Sequence, residues 1–305
     1  MKVFVTGATG VMGRSVTDAL HSAGHTVVGL ARDPGRAAVL EDMNVRAVPG
    51  SLFDQRSLVE AFDGCDVVCN MATHIPVGRA HIRPGAWKAN DRIRSEGSLV
   101  VAAAAREAGV ARLIQESVSF LYADNGDRWI DEDSPVAVTR AAEPVVLAET
   151  HTQKFACKSR YGVVLRLGNI IGDDSLTRWR LARAGSGHPV GMGRPESWTH
   201  VVHPDDVGSA VLAALAAPSG IYNVGAEPIR RSEMVAAFAR AAGHDQGSFH
   251  RRLVLRLGGE RLEWMTRSQR VSSGRFTARA GWKPVESHFG PHWLKPLVDS
   301  GARDG

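Results

Sequence analysis

A glycine-rich turn near the start of the chain constrains the fold more than any other feature of the sequence. An apolar segment, Lys2–Thr6, leads into the run Thr6–Gly13, which reads T-G-A-T-G-V-M-G, and an amphipathic segment, Val11–Ala23, follows directly. Strand, glycine turn and helix in this order are typical of a dinucleotide site, because the free N–H groups of the helix N-terminus can hold a pyrophosphate. Glycine turns without a ligand are also common, but here a second strand, Thr26–Ala31, follows as the motif requires. The pattern therefore predicts that a dinucleotide binds at this turn.

The glycines of the turn have separate roles. Gly7 permits the tight turn, Gly10 lets the backbone approach a pyrophosphate, and Gly13 lets the helix pack closely on the strand. We therefore predict that the cofactor phosphates bind along Gly7, Thr9, Gly10, Val11, Met12 and Gly13.

The spacing G-x-x-G-x-x-G with a leading threonine resembles the short-chain dehydrogenase/reductase superfamily. It is most similar to the extended branch, which contains nucleotide-sugar epimerases, dehydratases and related reductases. Five further segments match motifs of this family in the same order along the chain: Asp66–Thr73, Val163–Gly172, Val202–Val207, Gly220–Gly225 and Gly281–Pro284. Five ordered matches over most of the chain are far more specific than the turn alone.

Alternating strand and helix signals predict an α/β fold with a Rossmann-like, doubly wound parallel sheet. The predicted strands are Lys2–Thr6, Thr26–Ala31, Arg46–Pro49, Val67–Met71, Arg112–Ser117 and Val163–Leu167, and the clearest helices are Ala86–Ala108 and Pro144–Lys158. After Gly172 the alternation ends, with one return to the sheet near Ile221–Val224. We expect a dinucleotide-binding domain of residues 1–168 whose sheet also receives about 201–226, and a smaller C-terminal α/β substrate domain of residues 169–200 and 227–305.

Composition excludes several classes of function. The 37 basic and 32 acidic residues are scattered along the chain, with no basic stripe of the kind that binds nucleic acid. No apolar run approaches the roughly 20 residues that span a membrane, and the first strand at Lys2 leaves no room for a signal peptide. The three cysteines lack a zinc-like spacing. We expect a cytoplasmic protein that binds no metal, nucleic acid or membrane and acts on a small molecule.

The residues after the second strand indicate which nicotinamide dinucleotide binds. An acidic residue there would hydrogen-bond the ribose hydroxyls, whereas an arginine accommodates a 2′-phosphate. Ala31 stands where NAD-using relatives carry aspartate, and Arg32 follows it, with Arg36 as a possible second cation. Asp33 is the opposing residue, and a solvated loop arginine is the alternative to a phosphate contact. The predicted cofactor is therefore NADP(H).

The resemblance also implies cofactor contacts further along the chain. Ser51 stands where many relatives have an aspartate at the adenine edge, so we expect weaker adenine contacts here. The other residues that the resemblance places beside the cofactor are Leu52, Met71, Ala72, Thr73 and Asn169.

The usual catalytic dyad of the superfamily is absent. Relatives carry Y-x-x-x-K on the helix after the fifth strand, where the tyrosine transfers a proton as hydride moves. None of the three tyrosines of this chain has a lysine four residues later. If Glu149 is matched to the family's glutamate on that helix, the tyrosine and lysine positions fall on Ala141 and Val145. Any chemistry here must therefore proceed without the dyad.

Three other residues are candidates for catalysis. Aligned on Tyr122, the family's Ser/Thr position falls on Val118, and Ser117 and Ser119 flank it. If the alignment with the family is shifted by one residue, one of these serines reaches the nicotinamide. The alternative is that the hydroxyl groups of both serines cap a turn. His74 follows the fourth strand and could donate a proton, since histidine titrates near neutrality, or it could be a solvated loop residue. We expect the nicotinamide over the carboxyl ends of the fourth, fifth and sixth strands.

Three functions are compatible with these features. The first is an NADP(H)-dependent oxidoreductase of atypical extended type, which transfers hydride to or from a C=O or C=C bond of a small metabolite. The second is a lyase, isomerase or cyclase without net redox, and the third is a dinucleotide-sensing regulatory protein without turnover. Several tryptophans, Trp264 among them, favour a planar or acidic ligand, although tryptophans are more often core residues.

The resemblance also implies a homodimer. In relatives, two helices equivalent to Ala86–Ala108 and Pro144–Lys158 pair across a two-fold axis. The segments Val100–Ala105 and Val145–Ala148 are apolar on more than one face, and such helices need cover on both sides. A monomer whose loops cover these faces is the alternative.

Overall fold

Seven parallel strands form the central sheet of the computed structural model, which describes residues 1–78, 80, 83, 85–251, 253, 255 and 259–301, with the backbone alone at 299–301. The strands are β1 (Lys2–Thr6), β2 (Thr26–Ala31), β3 (Arg46–Pro49), β4 (Val67–Asn70), β5 (Arg112–Val118), β6 (Tyr161–Leu167) and β7 (Gly220–Val224). Their order in the sheet is β7-β6-β5-β4-β1-β2-β3. The order runs outward from β1 in both directions, so the predicted doubly wound, Rossmann-like α/β fold is confirmed.

Helices cover both faces of this sheet and form most of the C-terminal part. They are α1 (Val11–Ser22), α2 (Pro34–Asp42), α3 (Gln55–Phe62), α4 (Lys88–Arg92), α5 (Ser98–Glu107), α6 (Glu143–Phe155), α7 (Ser175–Gly185), α8 (Pro204–Ala214), α9 (Arg231–Ala241), α10 (Gly259–Trp264), α11 (Gly274–Ala280) and α12 (Lys295–Gly301). Short 3-10 turns lie at Ser119–Leu121 and Pro291–Trp293.

The predicted helix Ala86–Ala108 is interrupted by a π-helical turn, Ile93–Gly97, between α4 and α5. The hydroxyl of Ser98, directly after this turn, donates a hydrogen bond of 2.5 Å to the carbonyl oxygen of Arg94 within the turn. The Arg94 side chain is buried, and it reaches a carboxylate on the sheet. A π-turn changes the direction of the side chains that follow it, which periodicity in the sequence does not reveal.

Alternation along β1 sends side chains into two cores. Val3 and Val5 pack with α1 and α8 on one face, whereas Phe4 packs with α3 and α5 on the other. A third cluster, which includes Phe238 and Trp293, stabilises the C-terminal part. Because successive residues of a strand point to opposite faces, a continuous apolar strand predicts this two-sided burial.

Part of the C-terminal segment packs against the central sheet, which the sequence did not indicate. Phe276 of α11 and Trp282 after it pack into the first core beside Tyr222, although both lie in the segment 227–305 that was expected to bind substrate. Three pairs of two-residue strands join distant parts of the chain: Asn169–Ile170 with Val201–Val202, Trp198–Thr199 with Ile229–Arg230, and Trp129–Ile130 with Arg270–Val271. Within the described residues, no helix has the length and apolar character that crossing a membrane requires.

Candidate functional site

The glycine turn forms an open cradle at the start of α1. Gly7 has φ +66°, and a Cβ there would lie 2.8 Å from Cα of Ala72. A Cβ on Gly13 would lie 2.1 Å from the carbonyl oxygen of Gly7, so the helix packs directly on the turn. A Cβ on Gly10 would meet only that same oxygen, at 3.3 Å. Space therefore remains above Gly10, beside the N–H groups of the first turn of α1, and a pyrophosphate fits there.

A cavity extends from this cradle to the ends of β2, β3 and β4. It is lined by nearly all of the predicted cofactor residues, namely Gly7, Thr9, Gly10, Val11, Met12, Arg32, Arg36, Ser51, Leu52, Met71, Ala72 and Thr73. His74, Phe53 and Ile93 complete part of its wall. Gly13 and Asn169 do not line this cavity. We call it the cofactor cavity.

Two arginines and no carboxylate line the cofactor cavity within the described part of the chain. Arg36 Nη1 donates to Thr9 Oγ1 at 2.8 Å, which holds its guanidinium at the glycine turn. Asp33 Oδ1 accepts a hydrogen bond of 2.9 Å from the backbone N–H of Arg36, and Asp33 Oδ2 lies 3.5 Å from Nε of Arg32. Asp33 therefore caps α2 and pairs with Arg32, and it does not line the cofactor cavity.

A second cavity of about 160 Å³ adjoins the first, and Val11, Met12 and Thr73 line both. We call it the inner cavity. Its wall is mainly apolar and includes Trp87, Phe120, Leu167, Ile170, Leu176, Trp264 and Met265. An apolar cavity of roughly 150 Å³ holds one benzene ring, so this volume suits a planar group of that size.

The three positions that correspond to the family's catalytic residues all line the inner cavity. They are Val118, at the Ser/Thr position, Ala141 at the tyrosine position and Val145 at the lysine position. Each carries an aliphatic side chain. The dyad is therefore missing in space as well as in sequence, and its place is part of an apolar wall.

The two candidate serines have different surroundings. Ser117 lines the inner cavity, and its hydroxyl donates to Glu149 Oε1 at 2.6 Å. Arg166 Nε and Nη2 donate to the two oxygens of Glu149, at 2.8 and 2.7 Å. Ser119 is fully buried beside the Nδ1 atom of His200, 3.1 Å away, and lines neither cavity. Both side chains are fully buried, and of the two residues only Ser117 also lines a cavity.

His74 is exposed and lies in the cofactor cavity, next to Thr73 at the junction of the two cavities. Its backbone N–H donates to Asn90 Oδ1 at 3.1 Å, which holds the loop that follows β4. Asn169 lines the inner cavity, and its Oδ1 accepts from Arg180 Nη1 at 3.3 Å. The structure thus brings His74, Ser117 and Asn169 to the edge of the sheet where the nicotinamide is expected.

Two other motifs have structural roles. Tyr122 is fully buried and donates to Asn223 Oδ1 at 2.7 Å, and burial raises the pKa of its hydroxyl. Asp206 accepts hydrogen bonds from the backbone N–H groups of Val285 and Glu286, at 2.7 and 3.1 Å, and so anchors the C-terminal segment. Within the described residues no cluster of histidine, cysteine and carboxylate side chains could hold a metal ion.

Sequence reasoning missed the charged residues of the inner cavity. Two of them, Arg94 and Glu116, form a buried ion pair. Arg94 lies among charged residues that resemble a solvated helix face. Glu116 stands inside a predicted buried strand, and a carboxylate there is a signal in itself, because buried charges are rare unless they are paired.

Comparisons with known proteins agree with this geometry. A sequence profile of the NAD dependent epimerase/dehydratase family matches residues 3–225. A Streptomyces protein named 3-diazoavenalumate denitrifying reductase is 30% identical over 316 residues, which cover 97% of this chain and 99% of that protein. The 2-alkyl-3-oxoalkanoate reductase of Shewanella oneidensis is 30% identical over 229 residues, or 70% of this chain and 56% of that protein.

Among solved structures, human epimerase family protein SDR39U1 with NADPH superposes with a TM-score of 0.81. The two sequences are 21% identical, and the match covers 98% of this chain and 99% of the human chain. At 21% identity, this similarity shows a shared fold only.

Proposed function

Because the chain belongs to the NAD-dependent epimerase/dehydratase family, we propose that it is an NADP(H)-dependent oxidoreductase of atypical extended type. The reaction would transfer hydride to or from a C=O or C=C bond of a small metabolite. The observation that carries the proposal is the junction of the two cavities at Val11, Met12 and Thr73. One cavity has the glycine cradle of a dinucleotide site, and the other is an apolar space that suits a planar substrate. When bound, the nicotinamide cofactor supplies or accepts the hydride.

The preference for NADP(H) rests on Arg32 and Arg36. Both line the cofactor cavity, and Asp33 is occupied in capping α2. A guanidinium binds phosphate oxygens through charge-assisted hydrogen bonds, whereas an aspartate would repel a 2′-phosphate. The two positive charges therefore favour the phosphorylated cofactor, NADP(H).

The residues of the inner cavity orient the substrate and exclude water. Val118, Ala141 and Val145 offer no proton to a carbonyl oxygen. Such a wall suits a C=C substrate, or one whose own acidity supplies the proton. His74, which lines the cofactor cavity beside Thr73, is the proposed proton donor where one is needed.

A second candidate reaction is favoured by one relative. The Streptomyces protein is named as a denitrifying reductase of a diazo compound, and its match spans nearly the whole of both chains. A substrate that loses dinitrogen as it accepts hydride needs no proton from the enzyme. This reaction is therefore compatible with an aliphatic wall at the former dyad.

Cofactor oxidation tests the proposal. The full chain would be incubated with NADPH or NADH and with an aromatic ketone, an aromatic enone or an aryl diazonium salt, and absorbance of the reduced cofactor would be followed. Faster loss of NADPH than of NADH with one substrate is the expected result, measured above the rate without enzyme. Tight NADPH binding without oxidation by any substrate would favour a regulatory protein, and substrate conversion without oxidation would favour a lyase or isomerase.

A further inference from the structure

Arg94 and Glu116 form a buried ion pair in the wall of the inner cavity. Arg94 Nη2 donates to Glu116 Oε2 at 2.8 Å, and the two side chains are only 4% and 2% exposed. The remaining atoms, Arg94 Nη1 and Glu116 Oε1, are buried and have no hydrogen-bond partner within the described residues. The pair thus makes one hydrogen bond and leaves one donor and one acceptor open.

A nearby pair shows that the fold can satisfy such groups. Arg166 and Glu149 are equally buried, and their two hydrogen bonds use both carboxylate oxygens, one of which also accepts from Ser117. An unsatisfied buried polar atom costs on the order of 1–3 kcal/mol, so an open donor and an open acceptor within one ion pair require an explanation. Arg94 also lies on the π-helical turn Ile93–Gly97, and such turns are frequent at functional sites.

We propose that the Arg94–Glu116 pair determines substrate specificity by binding a hydroxyl group on a planar, otherwise apolar substrate. This inference rests on the proposed function, since it takes the inner cavity as the substrate site. A hydroxyl group can donate to Glu116 Oε1 and accept from Arg94 Nη1, which fills both open positions. A carboxylate would be repelled by Glu116, and an apolar group would leave both atoms unpaired. The aromatic side chains Phe120 and Trp264 then cover the ring that carries the hydroxyl.

The probes for the test are phenol and toluene, which have the same size and differ in the hydroxyl group. Their affinities for the full chain saturated with NADPH would be measured by titration calorimetry. We expect phenol to bind about ten- to a hundredfold more tightly than toluene, the range for a hydrogen bond to a charged group. The double variant Arg94→Met/Glu116→Leu should remove this preference. Both residues are replaced because one alone would leave a buried unpaired charge.

The matched control is Arg261→Met. Arg261 also lines the inner cavity, where it pairs with Asp91 and stacks on Trp87 with 4.5 Å between its Cζ atom and the ring centroid. This variant should keep the preference for phenol. If the double variant does not fold, Arg94→Gln/Glu116→Gln replaces it and should lower the preference about several-fold, because neutral hydrogen-bonding groups are weaker than charged ones.

Equal affinity for phenol and toluene in the unmodified protein, or an unchanged preference in the variants of the pair, would overturn the inference. Failure of the proposed function looks different. In that case the protein prefers phenol and loses the preference in the double variant, but it does not oxidise NADPH with any substrate. That result would support the hydroxyl-binding site and would reject only the proposed oxidoreductase function.

Discussion

The hydroxyl of Ser117 donates a hydrogen bond of 2.6 Å to Oε1 of Glu149, and the carboxylate is itself held by Arg166. Its proton is directed to Glu149, and its side chain is fully buried although the residue lines the inner cavity. Ser117 is therefore poorly placed to protonate a ligand. This relationship favours a positioning role for Ser117.

Replacement of His74 by alanine should lower turnover by roughly ten- to ten-thousand-fold, the range for a lost proton donor, with little change in NADPH affinity. Tyr122→Phe is the comparison, since its hydroxyl bonds Asn223 in the core and should affect mainly stability. Steady-state kinetics with the substrate identified by NADPH oxidation would measure both. If Tyr122→Phe abolishes turnover and His74→Ala does not, the assignment of the acid is wrong.

Cofactor preference should depend on Arg32. Arg32→Asp is expected to weaken NADPH binding by on the order of 1–3 kcal/mol through loss of a charge-assisted phosphate contact. NADH binding should change much less. Arg56→Asp is a suitable control, because Arg56 is also exposed but does not line the cofactor cavity. Fluorescence titration decides the matter, and equal binding of NADH and NADPH by the unmodified protein would refute the preference.

Two glycines of the cradle should respond differently to alanine. Gly13→Ala places a Cβ 2.1 Å from the Gly7 carbonyl oxygen and should destabilise the fold by about 3 kcal/mol or more. Gly10→Ala meets only one atom, at 3.3 Å, and should cost about 1 kcal/mol or less. It should nevertheless lower NADPH affinity, since its methyl group projects where the pyrophosphate approaches. Urea unfolding and cofactor titration of both variants test this contrast, which fails if Gly10→Ala binds NADPH normally.

Stability should fall below neutral pH in part because of His200. Burial lowers the pKa of this imidazole from 6.5 to about 3, so that it is neutral in the folded protein. The unfolded chain then binds one more proton between pH 6.5 and about 3. The contribution of neutral His200 to the free energy of unfolding is complete above pH 6.5 and is lost as the pH falls toward 3. Over this range the free energy of unfolding falls by up to about 1.4 kcal/mol per pH unit. His200→Gln removes this titration, and urea unfolding from pH 7 to 5 should show a shallower slope. An unchanged slope would contradict the assignment.

The expected homodimer would use α5 and α6. Leu99 on α5 and Leu147 on α6 are 53% and 43% exposed, so each helix presents an apolar side chain away from its own core. We propose that these faces meet those of a second copy. The variant Leu99→Glu/Leu147→Glu should be monomeric by light scattering at micromolar concentration. Val285→Glu, which alters an exposed valine elsewhere on the surface, should leave the mass unchanged. A single-chain mass for the unmodified protein would rule out the dimer.

Features that depend on neighbours along the chain were predictable from the sequence alone. Apolar runs and glycine positions predicted β1, β2 and β3 with their observed bounds, because strand periodicity and a tight turn are local properties. The order of residues along the chain also predicted the glycine cradle after β1 and the presence of Arg32 and Arg36 at the cofactor cavity after β2. Alignment on Glu149 predicted the aliphatic residues at the former dyad, Ala141 and Val145, which the fold places together in one wall.

The contacts between polar groups were not predictable from the sequence and are seen only in the folded chain. Ser117 and Ser119 are equivalent in the sequence and both are fully buried, but Ser117 lines a cavity whereas Ser119 lies against His200, 81 residues away. Arg94 lies on the π-helical turn and Glu116 on β5, and these residues, 22 positions apart in the sequence, form an ion pair in the fold. Such contacts are set by packing between distant segments, and the free energy of a buried charge depends on partners that no local pattern specifies.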